Sequence, residues 1–116
     1  DTDNFISAVD NVITEKYQFQ SMSFAEAKLN DGQRLLAFND LFIGVDSHVS
    51  ARYNISYNHK TEEQSSSGLL VSTKAGSTGW LSSVFNMAYG ITGMFEKNIQ
   101  LKRPTLNEND LLFAVR

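Results

Sequence analysis

The chain has 116 residues, of which 41% are hydrophobic, so it can bury a core. This length predicts one domain rather than two. Its formal net charge of -3 argues against a nucleic-acid backbone as the principal partner, and the lack of cysteine excludes disulfides, thiolate zinc sites and cysteine nucleophiles. No apolar run is as long as a membrane span, and residues 1–4 do not resemble a signal peptide. The sequence therefore predicts a soluble, cytoplasmic protein that binds neither nucleic acid nor membrane.

The first third of the chain predicts one short helix followed by strands. Phe5, Val9, Val12 and Ile13 recur at helical spacing. Apolar and polar residues then alternate over residues 17–20 and over part of residues 23–29, as in half-buried antiparallel strands. Asp31-Gly32 follows, and an Asp-Gly pair between apolar stretches predicts a hairpin whose primed turn uses the positive φ that glycine tolerates.

A long apolar stretch comes next and carries a polar pair within it. Residues 35–38 and 41–45 are apolar, and the second run predicts a central strand. Asn39 and Asp40 interrupt the stretch. Burying them without partners would cost about 2–7 kcal/mol per group, so they need an explanation. The pair either forms a bulge or turn, or it faces a ligand, in which case the ionised carboxylate of Asp40 accepts ribose hydroxyls.

The second half of the chain predicts a further hairpin and the principal helix. Residues 51–57 alternate, and a polar loop over residues 58–64, with Glu62 and Glu63 at its solvated tip, separates them from a strand over residues 68–73. The next apolar residues recur on one helix face, and Ser77 or Thr78 can cap the start of that helix. These helix-face residues are Trp80, Leu81, Val84, Phe85, Ala88 and Ile91. Residues 97–102 and 110–115 predict two last strands.

These patterns predict a mainly β (α+β) fold, with antiparallel strands and one principal helix after the Gly-Ser-Thr loop. A strand, a loop of small and hydroxyl residues over residues 72–78 and a helix can present backbone N–H groups to an anion or polar ligand. The same loop can equally do no more than cap the helix. Trp80 has two interpretations as well, as a core residue or as the wall of a ligand site. His48 and His59 lie in polar loops without metal-ligand spacing, and no metal site is predicted.

Two segments together resemble a known family. Residues 38–44 read Phe-Asn-Asp-Leu-Phe-Ile-Gly, and residues 67–80 read Ser-Gly-Leu-Leu-Val-Ser-Thr-Lys-Ala-Gly-Ser-Thr-Gly-Trp. In this order and at this separation they resemble the C-terminal domain of the NAD kinase family. The resemblance implies that residues 1–116 form an antiparallel, β-rich, NAD(H)-binding domain of a phosphotransferase that converts NAD to NADP.

The resemblance also implies partners and site residues. In the family a Gly-Gly-Asp-Gly-Thr motif in a separate α/β domain supplies the catalytic aspartate, and Mg²⁺ with ATP or polyphosphate supplies the phosphoryl group. This chain holds no such motif. We therefore expect a piece that lacks the N-terminal domain and the extreme C-terminus, has no catalytic residue, is inactive alone and forms a homo-oligomer through uncovered apolar surface. The implied substrate-binding residues are Asn39, Asp40, Ala75, Thr78, Gly79, Trp80 and Ser83.

Several positions depart from the family pattern. Gly79 and Trp80 stand where alanine and tyrosine are usual, and Lys74-Ala75 stands where Pro-Thr or Pro-Ser is usual. Ser67 replaces an aspartate. These changes leave open whether the substrate is NAD or NADH. Two alternatives also stay open: a lipid kinase of the diacylglycerol or sphingosine type, and a non-catalytic interaction module.

Overall fold

The computed structural model describes residues 2–95 and 102–116. Within them the fold is mixed α+β with antiparallel strands, as the sequence predicts. The longest helix follows the Gly-Ser-Thr segment, which confirms the expected principal helix. The elements in chain order are α1 (Thr2–Ile13), β1 (Ala25–Lys28), β2 (Arg34–Ala37), β3 (Asp40–Ile43), β4 (Ala51–Tyr57), β5 (Lys60–Ser66), β6 (Leu69–Ser72), a 3₁₀ turn (Ala75–Thr78), α2 (Trp80–Phe95) and β7 (Leu112–Val115).

The β1–β2 hairpin confirms the turn predicted at Asp31-Gly32 but not its type. Gly32 has a φ of 89°, whereas Asp31 does not adopt a positive φ. The Gly32 N–H donates to the Leu29 carbonyl at 3.1 Å, and the Leu29 N–H donates to the Gln33 carbonyl at 2.9 Å. A longer loop that ends in one left-handed glycine closes this hairpin instead of a two-residue primed turn.

The primed turn lies in the β4–β5 hairpin instead. Asn58 and His59 have φ values of 48° and 62°, and they alone separate the two seven-residue strands. The predicted polar loop over residues 58–64 is therefore wrong, and Glu62 and Glu63 lie within β5 rather than at a tip. Lys60–Ser66 shows no alternation of apolar and polar residues, because most of its residues are exposed. β5 therefore lacks the pattern by which a half-buried strand is predicted from sequence.

Replacing His59 with glycine is expected to stabilise this hairpin. A non-glycine residue in the left-handed region costs about 1–2 kcal/mol, and the second position of a type I′ turn favours glycine. After the entropy that glycine adds to the unfolded chain, we expect a net gain of about 0.5–1 kcal/mol in the free energy of unfolding, measured with urea. His48→Gly is the control because His48 does not have a positive φ. Equal effects of the two substitutions would contradict the turn assignment.

The three-stranded sheet has the order β3-β6-β7, and both pairings are antiparallel. The apolar run that predicts a central strand forms β3 at the edge of this sheet, so that expectation is wrong. The central strand is β6, which is hydrogen-bonded on both sides. Asn39 precedes β3 and Asp40 is its first residue, so the polar pair marks the break between two strands rather than the middle of one.

α2 starts after the 3₁₀ turn and packs the main core. It begins at Trp80, and the Ser77 hydroxyl donates to the Lys74 carbonyl at 2.7 Å, so the predicted cap at Ser77 is wrong. The core cluster is small. Its buried members are Leu70, Leu81 and Leu106, and Trp80, Val84, Phe85, Leu112 and Ala114 pack against them in part.

Three other segments show where the sequence patterns succeed and fail. The strand predicted over residues 17–20 is wrong, because this segment is irregular and its residues are exposed. The strand predicted over residues 97–102 lies outside the described residues except for Lys102, which is not in a strand. α1 confirms the helix expected near the start, and β7 confirms the strand expected within residues 110–115.

The apolar face of α1 stays exposed. Phe5 and Ile13 are 69% and 74% accessible, and Leu35 and Leu36 of β2 are likewise uncovered. Exposed apolar surface of this kind underlies the expectation of a homo-oligomer, which stays a prediction. In the described part of the chain, neither helix combines the length and the hydropathy that crossing a membrane requires.

The β1–β2 hairpin is expected to lose stability in acid. A side-chain hydrogen bond from Arg34 lowers the pKa of Glu26 below its ordinary value of 4.5, and the Lys28 ammonium lies 3.3 Å from the same carboxylate. A carboxylate whose pKa is lowered by folding stabilises the hairpin above its ordinary pKa, and that contribution is lost as the pH falls through the lowered value. Amide exchange of β1 and β2, followed from about pH 6 to about pH 3, should reveal this loss. Glu26→Gln should remove much of the pH dependence; an unchanged profile would contradict the assignment.

Candidate functional site

The pairing of β3 with β6 brings together residues 38–44 and residues 67–80. Asp40 is opposite Ser72 in the register, so Asn39 and Thr73 follow on as neighbours at the end of the ladder. The Thr73 N–H donates to the Asn39 carbonyl at 2.9 Å. Residues more than thirty positions apart in the chain thus meet at one point, just where β6 leads into the 3₁₀ turn.

The hydroxyl of Thr73 fixes this junction. Thr73 is 2% exposed, and its hydroxyl lies 2.6 Å from the Phe38 carbonyl, to which it donates, and 3.0 Å from the Asn39 carbonyl. It also accepts a hydrogen bond from the Gly76 N–H at 3.2 Å. The sequence-based set of site residues omits Thr73, although a hydroxyl residue between an apolar strand and a Gly-Ser-Thr segment is the signal that could have indicated it.

Gly76 makes the closest approach between the turn and the polar pair. A Cβ built on Gly76 would lie 2.6 Å from Asp40 Oδ1, and it would also clash with the Asn39 carbonyl oxygen. Only a residue without a side chain lets the turn sit this close to Asn39 and Asp40. The geometry thus explains why glycine stands between Ala75 and Ser77.

The carboxylate of Asp40 contains an acceptor that lacks a donor. Asp40 Oδ1 is buried, and no described residue donates a hydrogen bond to it. A buried oxygen in this condition costs about 1–3 kcal/mol, and more when it is charged. The described residues leave this acceptor of the half-buried Asp40 without a donor, and a hydroxyl-bearing ligand is one group that could supply it.

The remaining predicted site residues continue from this junction along the chain. Ala75 is half-buried and Thr78 is exposed, and both belong to the 3₁₀ turn. Gly79 is exposed and connects the turn to α2, and Ser83 is exposed on the first turn of α2, where its N–H donates to the Gly79 carbonyl at 3.2 Å. Thr78 and Ser83 are thus exposed hydroxyl residues close to the junction along the chain.

Trp80 packs into the core at this end of the site. Its ring stacks on that of Phe42, with centroids 5.2 Å apart and an interplanar angle of 27°. The guanidinium carbon of Arg116 lies 5.3 Å from the centroid of the Trp80 ring. The neighbouring Leu70 and Leu81 belong to the cluster against which it packs. These contacts agree with the interpretation of Trp80 as a core residue.

An ion pair connects Lys74, the residue before the 3₁₀ turn, to the segment before β7. The Lys74 ammonium lies 2.5 Å from Glu108 Oε1. Asp110 holds this segment in a tight turn, since its carboxylate accepts a hydrogen bond from the Asn107 N–H at 2.8 Å. A cavity of about 220 Å³ lies beside the pair and is lined by Ser23, Phe24, Thr73, Glu108, Asn109, Asp110 and Leu111.

A second cleft lies on the polar side of the β4–β5 hairpin. Its volume is about 660 Å³, and its lining includes Arg52, Asn54 and Glu63. None of its lining residues belongs to the two family-like segments. This cleft is therefore an independent location against which binding at the junction of β3 and β6 can be tested.

Within residues 2–95 and 102–116, no group of three or more histidine or acidic side chains is arranged to hold a metal ion. The polar groups at the junction are an amide, one carboxylate and several hydroxyls, a set that suits hydrogen bonding to a sugar more than coordination of a cation.

Comparison with known proteins identifies no relative: no family model matches the chain, and neither a curated protein nor a solved structure does.

Proposed function

We propose that this chain is the dinucleotide-binding domain of an NAD kinase-like phosphotransferase, with NAD as its substrate. The observation that carries the proposal is the junction itself. The two segments on which the resemblance rests lie far apart in the sequence and meet through Thr73 and Gly76, beside a carboxylate oxygen of Asp40 that has no donor among the described residues.

The chemistry of the junction suits a ribose. The vicinal hydroxyls of a ribose can donate to the carboxylate of Asp40, which only accepts when it is ionised. The side-chain amide of Asn39 can both donate to and accept from a base or phosphate. Thr78 and Ser83 add exposed hydroxyls on the same stretch of chain. This division of roles explains why an amide and a carboxylate stand together at the start of an edge strand.

Among the described residues, no group of three or more histidine or acidic side chains is placed to hold a metal ion. We assign the dinucleotide to this chain, and none of its residues to magnesium, ATP or polyphosphate. The roles of Asn39 and Asp40 concern binding and orientation of the substrate.

A thermal-shift screen tests the proposed function. NAD, NADH and NADP, each at a concentration well above its dissociation constant, should raise the melting temperature of the chain, because a ligand that binds only the folded state stabilises it. Diacylglycerol and sphingosine should not. A shift with lipid alone would indicate a lipid kinase domain, and no shift with millimolar nucleotide would favour an interaction module.

A further inference from the structure

The candidate dinucleotide site needs a cation, and one lies immediately before the 3₁₀ turn. The pyrophosphate of a dinucleotide carries negative charge, and Asp40 at the junction is itself a carboxylate that would repel it. Two other cations near α2 are engaged: Arg103 donates to Ser82 at 2.9 Å and Arg116 lies over Trp80. Lys74 immediately precedes the turn, whose Gly76 lies against Asp40.

The backbone on both sides of Lys74 is held against the junction. Thr73, one residue before Lys74, donates to the Asn39 carbonyl, and Gly76, two residues after Lys74, lies against Asp40. The backbone at Lys74 is thereby held between two contacts to the polar pair. Its long, flexible stem lets the ammonium move over the neighbouring surface without disturbing the turn.

The present partner of Lys74 can be exchanged. Its ammonium lies 2.5 Å from Glu108 Oε1, but the two side chains are 46% and 37% exposed. Ion pairs at such exposed positions contribute little to stability, because water and salt screen them and both long side chains lose freedom. A phosphate oxygen can take the place of the carboxylate, since an ammonium group forms charge-assisted hydrogen bonds with both.

We propose that Lys74 recognises the phosphates of the bound dinucleotide. In the free chain Glu108 holds the Lys74 ammonium, and the phosphates replace Glu108 as its partner when the dinucleotide binds. This inference rests on the proposed function and adds a residue to it. Lys74-Ala75 stands where the NAD kinase family usually has Pro-Thr or Pro-Ser, so the contact would be particular to this chain. Glu108 competes with the ligand and therefore opposes binding.

Calorimetric titration with NAD and with adenosine, which lacks the phosphates, tests the proposal. Lys74→Gln should weaken NAD binding by about tenfold and leave adenosine binding unchanged, since only the phosphate contact is lost. Glu108→Gln should strengthen NAD binding by about two- to threefold, because it removes the competitor. Lys60→Gln, an exposed lysine of β5, is the matched control and should change neither.

The opposite outcomes are distinct. If the ion pair merely orients the turn, both substitutions should weaken NAD and adenosine binding alike, and that result would overturn the role of Lys74. Equal NAD affinity of Lys74→Gln and the unchanged chain would overturn it too, while leaving the proposed function intact. No binding of NAD or adenosine to the unchanged chain would overturn both.

Discussion

Gly76→Ala should destabilise the chain and abolish tight dinucleotide binding. The added methyl group would lie 2.6 Å from Asp40 Oδ1 and against the Asn39 carbonyl, whose oxygen is already held by the Thr73 N–H. Either the turn or the start of β3 must move. Overpacking of this kind costs about 1–3 kcal/mol, and urea unfolding should show a loss in this range.

Gly90→Ala is the matched control for this substitution. Gly90 lies within α2, and a Cβ there would meet no atom within 4 Å. Because alanine favours the helix over glycine, the control should gain about 0.5–1 kcal/mol in the free energy of unfolding and bind NAD normally. If Gly76→Ala were as stable as Gly90→Ala, the close contact between the turn and the polar pair would be refuted.

Asp40→Asn should keep the fold and weaken NAD binding. No described residue donates to Asp40 Oδ1, so replacing the carboxylate with a carboxamide breaks no internal hydrogen bond at that atom. A lost hydrogen bond to a charged group costs about 1.5–3 kcal/mol, which corresponds to roughly ten- to a hundredfold in affinity. Calorimetric titration with NAD, beside thermal melts of the same samples, measures both effects.

Asp46→Asn removes the same charge at an exposed loop position and serves as the control for Asp40→Asn. It should leave affinity and melting temperature unchanged. If Asp40 only stabilises the start of β3, Asp40→Asn should lower the melting temperature and leave the affinity nearly untouched. An NAD affinity that is unchanged in Asp40→Asn would contradict the proposal that Asp40 binds the ribose hydroxyls.

Local patterns predicted the elements that bury an apolar face or need a special turn residue. Helix spacing from Phe5 to Ile13 indicated α1, and the apolar set after Gly79 indicated α2. Asp31-Gly32 marked a hairpin because glycine accepts a positive φ, which Gly32 has. In each case the signal depends on a few neighbouring residues.

Features set by tertiary context were not predicted. The run after Asp40 is apolar enough for a central strand, yet it lies at an edge, because strand order depends on pairing between distant segments. β5 is a strand in the structure, although its sequence does not alternate apolar and polar residues. Residues 17–20 alternate, but none of the described strands pairs with them, and alternation without a partner does not make a sheet.

The candidate site was predicted as two separate segments, and the structure adds their connection. The resemblance named Asn39, Asp40 and Thr78, but it gave no role to Thr73 or Gly76. Both act through contacts between residues more than thirty positions apart. The buried hydroxyl of Thr73 donates to the Asn39 carbonyl, and the lack of a side chain at Gly76 lets the turn approach Asp40. Contacts of this range leave no periodic trace in the sequence.

Backbone amide chemical shifts in a titration with NAD are the most direct test of a dinucleotide site at the junction, because they locate the ligand on the chain. We expect the shifts to concentrate at Asn39, Asp40 and residues 73–79, with little change in the β4–β5 hairpin. The hairpin is the informative contrast, since it carries the separate cleft of about 660 Å³. Shifts confined to the lining of that cleft, or no shifts at millimolar NAD, would contradict a dinucleotide site at the junction of β3 and β6.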